Sequence, residues 1–152
     1  MRHSAGILLH RTAAGGEPEV LLGHMGGPFW AHKDEHAWSI PKGEHPPDED
    51  PRVAAAREFA EELGSPPPDG FLVDLGSVRG SGKLITAFAL RGDLDADKVV
   101  SNLFELEWPP RSGRMRSFPE IDRAAWFDLP TARTKIVKAQ AVFLDRLLTT
   151  LG

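Results

Sequence analysis

The sequence predicts an α/β fold, and three observations predict it. Short apolar runs of strand character recur along the chain, a helix with a clear apolar stripe covers Pro51–Leu63, and a second helical pattern closes the chain. Residues 5–9 and 20–22 read as two strands joined by turn chemistry, Ala13-Ala14-Gly15-Gly16 with Pro18 following, and so as a hairpin. Residues 24–30 form a loop with paired glycines and a proline that displays two aromatics, Phe29 and Trp30. Trp38-Ser39-Ile40 reads as a short strand ended by Pro41, and the polar run 42–50 that follows reads as a loop.

Helix character begins at Asp50, an acidic cap followed by Pro51 in the first turn, where a missing amide hydrogen does no harm. Val53, Ala56, Phe59, Ala60 and Leu63 then fall at helical spacing, Gly64 ends the helix, and Pro66-Pro67-Pro68 prevents its continuation. Residues 71–78 and 84–90 read as strands about a turn at Arg79-Gly80-Ser81-Gly82, and 103–108 as another strand. Residues 111–116 read as a basic loop, 124–127 as a last strand, and 131–148 as a closing helix with Ile136, Val137, Phe143, Leu144, Leu147 and Leu148 as its buried stripe.

At 152 residues the chain has the length of one domain with a substantial core. Its 41% hydrophobic and 26% charged residues are ordinary for a soluble globular protein. The net charge of -4 argues against a broad nucleic-acid surface, so nucleic acid is an unexpected partner. There is no cysteine, which removes disulfides, thiolate zinc sites and thiol nucleophiles; any metal must be held by oxygen or imidazole. The apolar stretch Ile7-Leu8-Leu9 is far too short for a signal core or a membrane span, so the expectation is a cytoplasmic protein with no membrane partner.

Chemistry concentrates on the first helix. At 100° per residue Glu58 and Glu62 lie about 40° apart around the axis, with Glu61 about 60° to the other side of Glu58. The three acids therefore share one face and repel one another unless a cation sits among them. Hard oxygen ligands favour Mg²⁺ or Mn²⁺ over zinc, and Mg²⁺ is usually shared between carboxylates and substrate phosphates. Backbone carbonyls around Lys42 and Gly43 can add ligands, because glycine permits close approach. Arg57 is placed to hold Glu49 by a two-pronged hydrogen bond. An acidic helix face alone is ordinarily just solvated, but the fixed spacing of Gly43, Glu49, Arg57, Glu58, Glu61, Glu62 and Gly64 would arise by chance on the order of once per million chains or less.

This string resembles the signature of the Nudix hydrolase family at every fixed position, departing only at Ser65, where the family usually has an aliphatic residue. Trp38-Ser39-Ile40-Pro41-Lys42-Gly43 is similar to the family's entry to that box, and Ala125-Trp126-Phe127 followed by a helix to its usual ending. The resemblance implies an α/β/α sandwich with a mixed β-sheet spanning residues 1–152, and divalent-metal-dependent hydrolysis of a phosphoanhydride in a nucleoside diphosphate-linked small molecule. Glu58 and Glu62 would be the principal metal ligands, Glu61 a further ligand or water activator, and Arg57 with Glu49 a supporting pair. A downstream acid often serves such enzymes as base; Glu120 is the first candidate, with Glu105 and Glu107 as rivals.

Arg111, Arg114 and Arg116, beside Trp108 and Phe118, are candidates to grip phosphates and a base, together with Phe29, Trp30 and Lys42. A nucleoside triphosphate or a dinucleoside polyphosphate fits this reading. Absence of tyrosine disfavours the latter, since many such family members stack substrate on tyrosine, although tryptophan could substitute. The alternatives are a noncatalytic nucleotide-sensing module and a 5′-end RNA pyrophosphohydrolase. Substrate, metal count, base and oligomeric state stay open. Three weaker patterns are set aside: Asp93-x-Asp95-x-Asp97 lacks the glycine and glutamate of a calcium loop, His32 and His36 lack a metalloprotease context and are expected to face solvent, and Gly80-x-Gly82 reads as a turn.

Overall fold

The computed structural model describes residues 1–80 and 82–152, so Ser81 of the expected turn lies outside the described residues. Its centre is a seven-stranded mixed sheet. The first strand, β1 (Arg2–Thr12), runs parallel to β6 (Lys83–Arg91) along its length. On its other edge β1 pairs antiparallel with two partners in turn: residues 3–6 with β4 (Lys42–His45), and residues 10–12 with β2 (Pro18–Met25). Short β3 (Trp38–Ser39) and long β9 (Ile121–Asp128) flank β2, and β5 (Val73–Gly80) closes the far edge beside β6. β7 (Leu103–Glu107) and β8 (Met115–Pro119) form a separate two-stranded hairpin.

Strand alternation turns the continuous apolar runs into two cores, one on each face of the sheet. Ala5, Ile7, Leu9 and Leu21 point to the face covered by α1 (Pro51–Leu63), where they meet Ala54, Ala55, Phe59 and Leu63. Leu8, Val20 and Leu22 point the other way, to Trp38, Ile136, Phe143, Leu144 and Leu147 and so to α2 (Leu129–Lys135) and α3 (Ala141–Leu151). The expected α/β/α sandwich results. Phe59 is wholly buried, and its truncation to alanine would cost about 3–5 kcal/mol and loosen α1 from the sheet. Among the described residues no helix is long and apolar enough to cross a membrane.

Three elements differ from expectation, each for a tertiary reason. The polar run after Pro41 is not all loop: Lys42-Gly43-Glu44-His45 is a strand because β1 supplies the ladder partner that its own composition does not advertise. The basic segment 111–116 is partly strand, since Met115 and Arg116 pair with Glu107 and Leu106. The closing helix is two helices. Asp128 caps α2 by accepting from the Thr131 amide, and the chain then straightens at Ile136, where the Val137 amide donates to the Trp38 carbonyl at 2.8 Å. That break delivers buried Gln140 to β3, where its Oε1 accepts from the Ile40 amide at 3.0 Å.

Candidate active site

The start of α1 follows directly from its sequence: Asp50 accepts from the Arg52 amide at 2.9 Å and Pro51 occupies the first turn. The end depends on distant residues. Gly64 adopts φ 81°, and a Cβ there would strike the Val100 carbonyl oxygen at 2.5 Å. Last-turn carbonyls, which a helix leaves unpaired, are taken up by the segment after β6: Val100 N–H donates to Leu63 O at 3.2 Å and Asn102 N–H to Glu61 O at 2.9 Å. The Asn102 carbonyl in turn accepts from the Glu120 amide at 2.9 Å, and the Glu120 carbonyl from the Gly26 amide at 2.9 Å. Two successive backbone bonds thus carry Glu120 to the helix acids, and the third ties it on to Gly26.

The site they surround is a polar cavity of about 300 Å³ lined by Ser4, Lys42, Gly43, Glu44, Glu58, Glu62, Lys83, Asn102 and Glu120. Gly43 is needed for contact rather than for conformation, because a Cβ there would fall 2.0 Å from Glu58 Oε2. Glu58 is 8% exposed and accepts from Arg57 Nη1 at 2.8 Å. Arg57 also donates to Glu49 through Nη2 at 2.8 Å and Nε at 3.4 Å, the expected two-pronged pair, and lies 3.6 Å from Glu61. Glu49, hydrogen-bonded foremost, and Glu58 raise the proton affinity of Arg57, so its charge is permanent. Glu62 Oε1 accepts from the Lys42 amide at 3.0 Å, which ties α1 to β4.

Electrostatically the cavity is crowded. Burial pushes the Glu62 carboxyl up to about 8, and Glu120 and Glu58 push the same way against Lys42. Burial and neighbouring Glu61 raise Glu58; burial raises Glu120, opposed by Lys42 and Lys83. Burial lowers Lys42, and Lys83 adds to that effect, while Glu62 opposes it. Such mutual perturbation in one cleft marks a functional site. Hard carboxylate oxygens, destabilised in their charged form and set against a glycine, suit a divalent cation. In the side-chain positions seen, however, Glu58 turns to Arg57 and Glu62 to a backbone amide. Among the described residues no three acidic or histidine side chains converge closely enough to enclose an ion.

Glu58, Glu62, Glu120, Lys42 and Gly43 are therefore brought together, with Arg57, Glu49 and Glu61 at the rim. Phe29, Trp30, Arg111, Arg114 and Arg116 do not line the cavity. Phe29 is exposed and meets Trp108 edge-on at 6.0 Å, while Trp30 packs on the core beneath the sheet. The three arginines are exposed on the β7–β8 hairpin, Arg116 lying 5.7 Å over Phe118. Expected to face solvent, His36 instead bonds Ile136 O through Nδ1 at 2.8 Å. Sequence reading missed Ser4, Lys83 and Asn102, which carry no local motif: Ser4 and Lys83 reach the cavity by strand pairing, and Asn102 by its backbone bond to Glu61 O. Ser4 is buried, and among the described residues its Oγ has no hydrogen-bond partner. A larger open cleft of about 660 Å³ beside Arg11, Trp126 and residues 93–97 gathers no comparable set, since Arg11 is already bound to Glu19 and Asp93.

Fold and site together define a pyrophosphohydrolase acting on acid anhydrides. The NUDIX domain model matches residues 1–147, and the chain belongs to that family, whose hydrolases generally use divalent metal ions. No curated protein matches the sequence. Among solved structures the chain is similar to a C. elegans Ap4A hydrolase in a binary complex, with 20% identity, 99% of this chain and 98% of that chain covered, and a TM-score of 0.66. It is also similar to the NUDIX domain of Shewanella oneidensis NrtR complexed with ADP ribose, at 14% identity, 99% and 88% coverage and a TM-score of 0.66. The Nudix hydrolase RenU of M. smegmatis gives 23% identity, 98% and 84% coverage and a TM-score of 0.62. At such identities the likeness is one of fold.

Proposed function

We propose that the protein hydrolyses a phosphoanhydride bond in a free nucleoside diphosphate-linked molecule, of the nucleoside triphosphate or dinucleoside polyphosphate type, with Mg²⁺ or Mn²⁺. The observation that carries this reading is that Glu58, Glu62 and Glu120 line one polar cavity together with Lys42 and Lys83. Acids that burial holds back from ionising, Glu62 also under the influence of Glu120 and Glu58, call for a cation, and two lysines in the same lining call for an anion; a metal-bound polyphosphate supplies both. Glu58 and Glu62 would hold the metal, with Glu61 and the backbone around Lys42 and Gly43 as further donors. When bound, the ion would neutralise these acids and polarise phosphoryl oxygens.

The chain's own groups account for the rest. Lys42 and Lys83 face the phosphates and offset charge on the phosphoryl oxygens. Arg57, fixed by Glu49, sets the Glu58 side chain. Glu120 is the assigned base: burial raises its proton affinity, which suits a group that takes the proton of an attacking water as the phosphorus–oxygen bridge breaks. Phe29 and Trp108 offer aromatic faces for a base, so tyrosine is not required. Arg111, Arg114 and Arg116 are assigned to phosphates that extend beyond the cavity, and half-buried Trp30 follows Phe29 in the same segment.

The test is a panel of nucleoside triphosphates, dinucleoside polyphosphates and nucleotide sugars with Mg²⁺ or Mn²⁺, with products identified by mass spectrometry in ¹⁸O-water. Hydrolysis lost in Glu62→Gln supports the reading, whereas no turnover of any member, or full activity in that variant, removes it. Alanine at both Arg114 and Arg116 should raise KM more than it changes kcat.

A further inference from the structure

The geometry points to His24 as a positioning residue: a doubly protonated ring, clasped between Asp122 and the Lys33 carbonyl, that sets the segment 26–36 carrying Phe29 and Trp30. His24 is completely buried. Its Nε2 lies 2.6 Å from Lys33 O, and its Nδ1 lies 2.8 Å from Asp122 Oδ1. A carbonyl oxygen only accepts, so Nε2 bears a hydrogen. An ionised carboxylate also only accepts, so Nδ1 bears one too, and the ring is an imidazolium with Asp122 as its counter-charge. Asp122 is 29% exposed and also faces Arg123, whose Nη1 lies at 3.8 Å.

A defect in the sheet creates this clasp. β2 and β9 pair His24 with Arg123 and then Met25 with Ile121, so the register slips and Asp122 has no partner across the ladder. Such a bulge re-aims a side chain, here toward His24. The remaining charges around the ring have their own partners. Arg123 lies over Trp38 at 5.1 Å, Trp38 meets His24 edge-on at 5.2 Å and donates to Asp34, Asp34 pairs with Lys135, and the Lys33 ammonium sits 5.2 Å over Trp30.

The clasp matters because of what it holds. One end of the segment is fixed where Gly26 N–H meets the Glu120 carbonyl, and the other where the His36 amide meets Thr134 O. Between them, among the described residues, the His24 bond to Lys33 O is the hydrogen bond that joins residues 27–33 to the sheet. Lys33 N–H donates to Trp30 O, and Trp30 N–H to Gly27 O. Fixing Lys33 therefore fixes the turn that presents Phe29 to Trp108. The consequence for substrate rests on the proposed function, in which Phe29 faces the nucleotide.

Three measurements test this. In ¹H–¹⁵N spectra of the nucleotide-free protein near neutral pH, both ring nitrogens of His24 should carry hydrogen; in Asp122→Asn only Nε2 should, since the amide can supply the hydrogen that Nδ1 then lacks. In His24→Phe, which fills the space but cannot donate, exchange of the Lys33 and Trp30 amides should quicken about tenfold or more. The same variant should show KM raised about tenfold with kcat within about twofold, and Asp122→Asn, which keeps the Nε2 donor, should stay within about threefold of the parent KM. A neutral His24 ring in the parent protein, unchanged amide exchange in His24→Phe, or faster exchange with an unmoved KM each overturns the assignment. Should His24→Phe fail to fold, the Asp122→Asn ring spectrum decides: hydrogen retained on Nδ1 refutes the clasp. Absence of nucleotide turnover in the parent protein would sink the proposed function instead, while ring and exchange data still decide the clasp.

Discussion

Replacing Gly43 with alanine isolates the one close approach on which the site's geometry depends. The added Cβ would lie 2.0 Å from Glu58 Oε2, 2.1 Å from its Cδ and 2.6 Å from Oε1. A carbon–oxygen contact needs about 3.3 Å, so the carboxylate must retreat by about 1.3 Å. The backbone of β4 is ordinary strand, so the substitution adds no dihedral strain of its own. Glu58 can move only by giving up its hydrogen bond to Arg57, a charge-assisted bond worth about 1.5 kcal/mol once the exposure of Arg57 is allowed for. At about 2–4 °C per kcal/mol for a chain of this size, Tm should fall by about 3–6 °C. Activity should suffer far more, since a displacement of about 1 Å at a reacting group costs on the order of 100-fold. The assay is kcat on the best substrate of the panel with Mg²⁺, alongside a thermal melt of the same sample. Retention of kcat within about threefold, or a loss no larger than the unfolded fraction explains, would refute the argument.

Glu62→Gln should flatten a pH dependence of stability as well as stop turnover. An acid raised by burial from 4.5 to about 8 binds its proton more tightly in the folded state, so metal-free protein should lose stability as pH rises across that window. Urea unfolding in chelator at about pH 5 and about pH 8 measures the slope, which should be shallower in the variant, where Glu58 and Glu120 keep their share. Adding Mg²⁺ or Mn²⁺ should raise Tm more at the upper pH than at the lower, and an equal rise at both would count against a carboxylate site. Arg57→Ala frees Glu49 and Glu58 together and should lower kcat about 10- to 100-fold with a small change in Tm, and lysine should not restore it because it cannot make the two-pronged pair. Gln140→Ala strands the Ile40 amide and should cost about 1–3 kcal/mol in unfolding experiments while leaving turnover per folded molecule intact.

Legibility in the sequence followed the range of the forces involved. The bounds of the helix Pro51–Leu63 were readable because its cap and its glycine are local, but its stripe was read only in part: Val53 is exposed, and Ala54 and Ala55 face the sheet with Phe59 and Leu63. Arg57 and Glu49 were readable as a pair because the helix start fixes their separation. The strand Lys42–His45 was not, since its alternation is polar and its partner, His3–Gly6, lies far away in sequence. Nor was the break at Ile136, where apolar periodicity runs on unbroken; what ends α2 is the Trp38 carbonyl, a tertiary acceptor. Glu120 was named only through resemblance, and nothing near it in the sequence singles it out from Glu105 or Glu107. β7 explains the choice: both rivals sit on the hairpin strand, away from the cavity, while Glu120 lies on its wall.

That contrast bears on how such a site is built. A helix that gathers acids supplies charge, but charge alone repels, and three like groups on one face weaken the helix that bears them. Here the last-turn carbonyls of the same helix recruit the rest of the machinery: Glu61 O takes the Asn102 amide, Asn102 O takes the Glu120 amide, and Glu120 O takes the Gly26 amide. Each link satisfies a backbone group that would otherwise be orphaned, so assembly of the site and termination of the helix are one event. It follows that the position of Glu120 is insensitive to its own side chain and sensitive to the backbone of residues 100–102. Substitutions of the acid test its chemistry, and only loss of an amide along this path tests its placement.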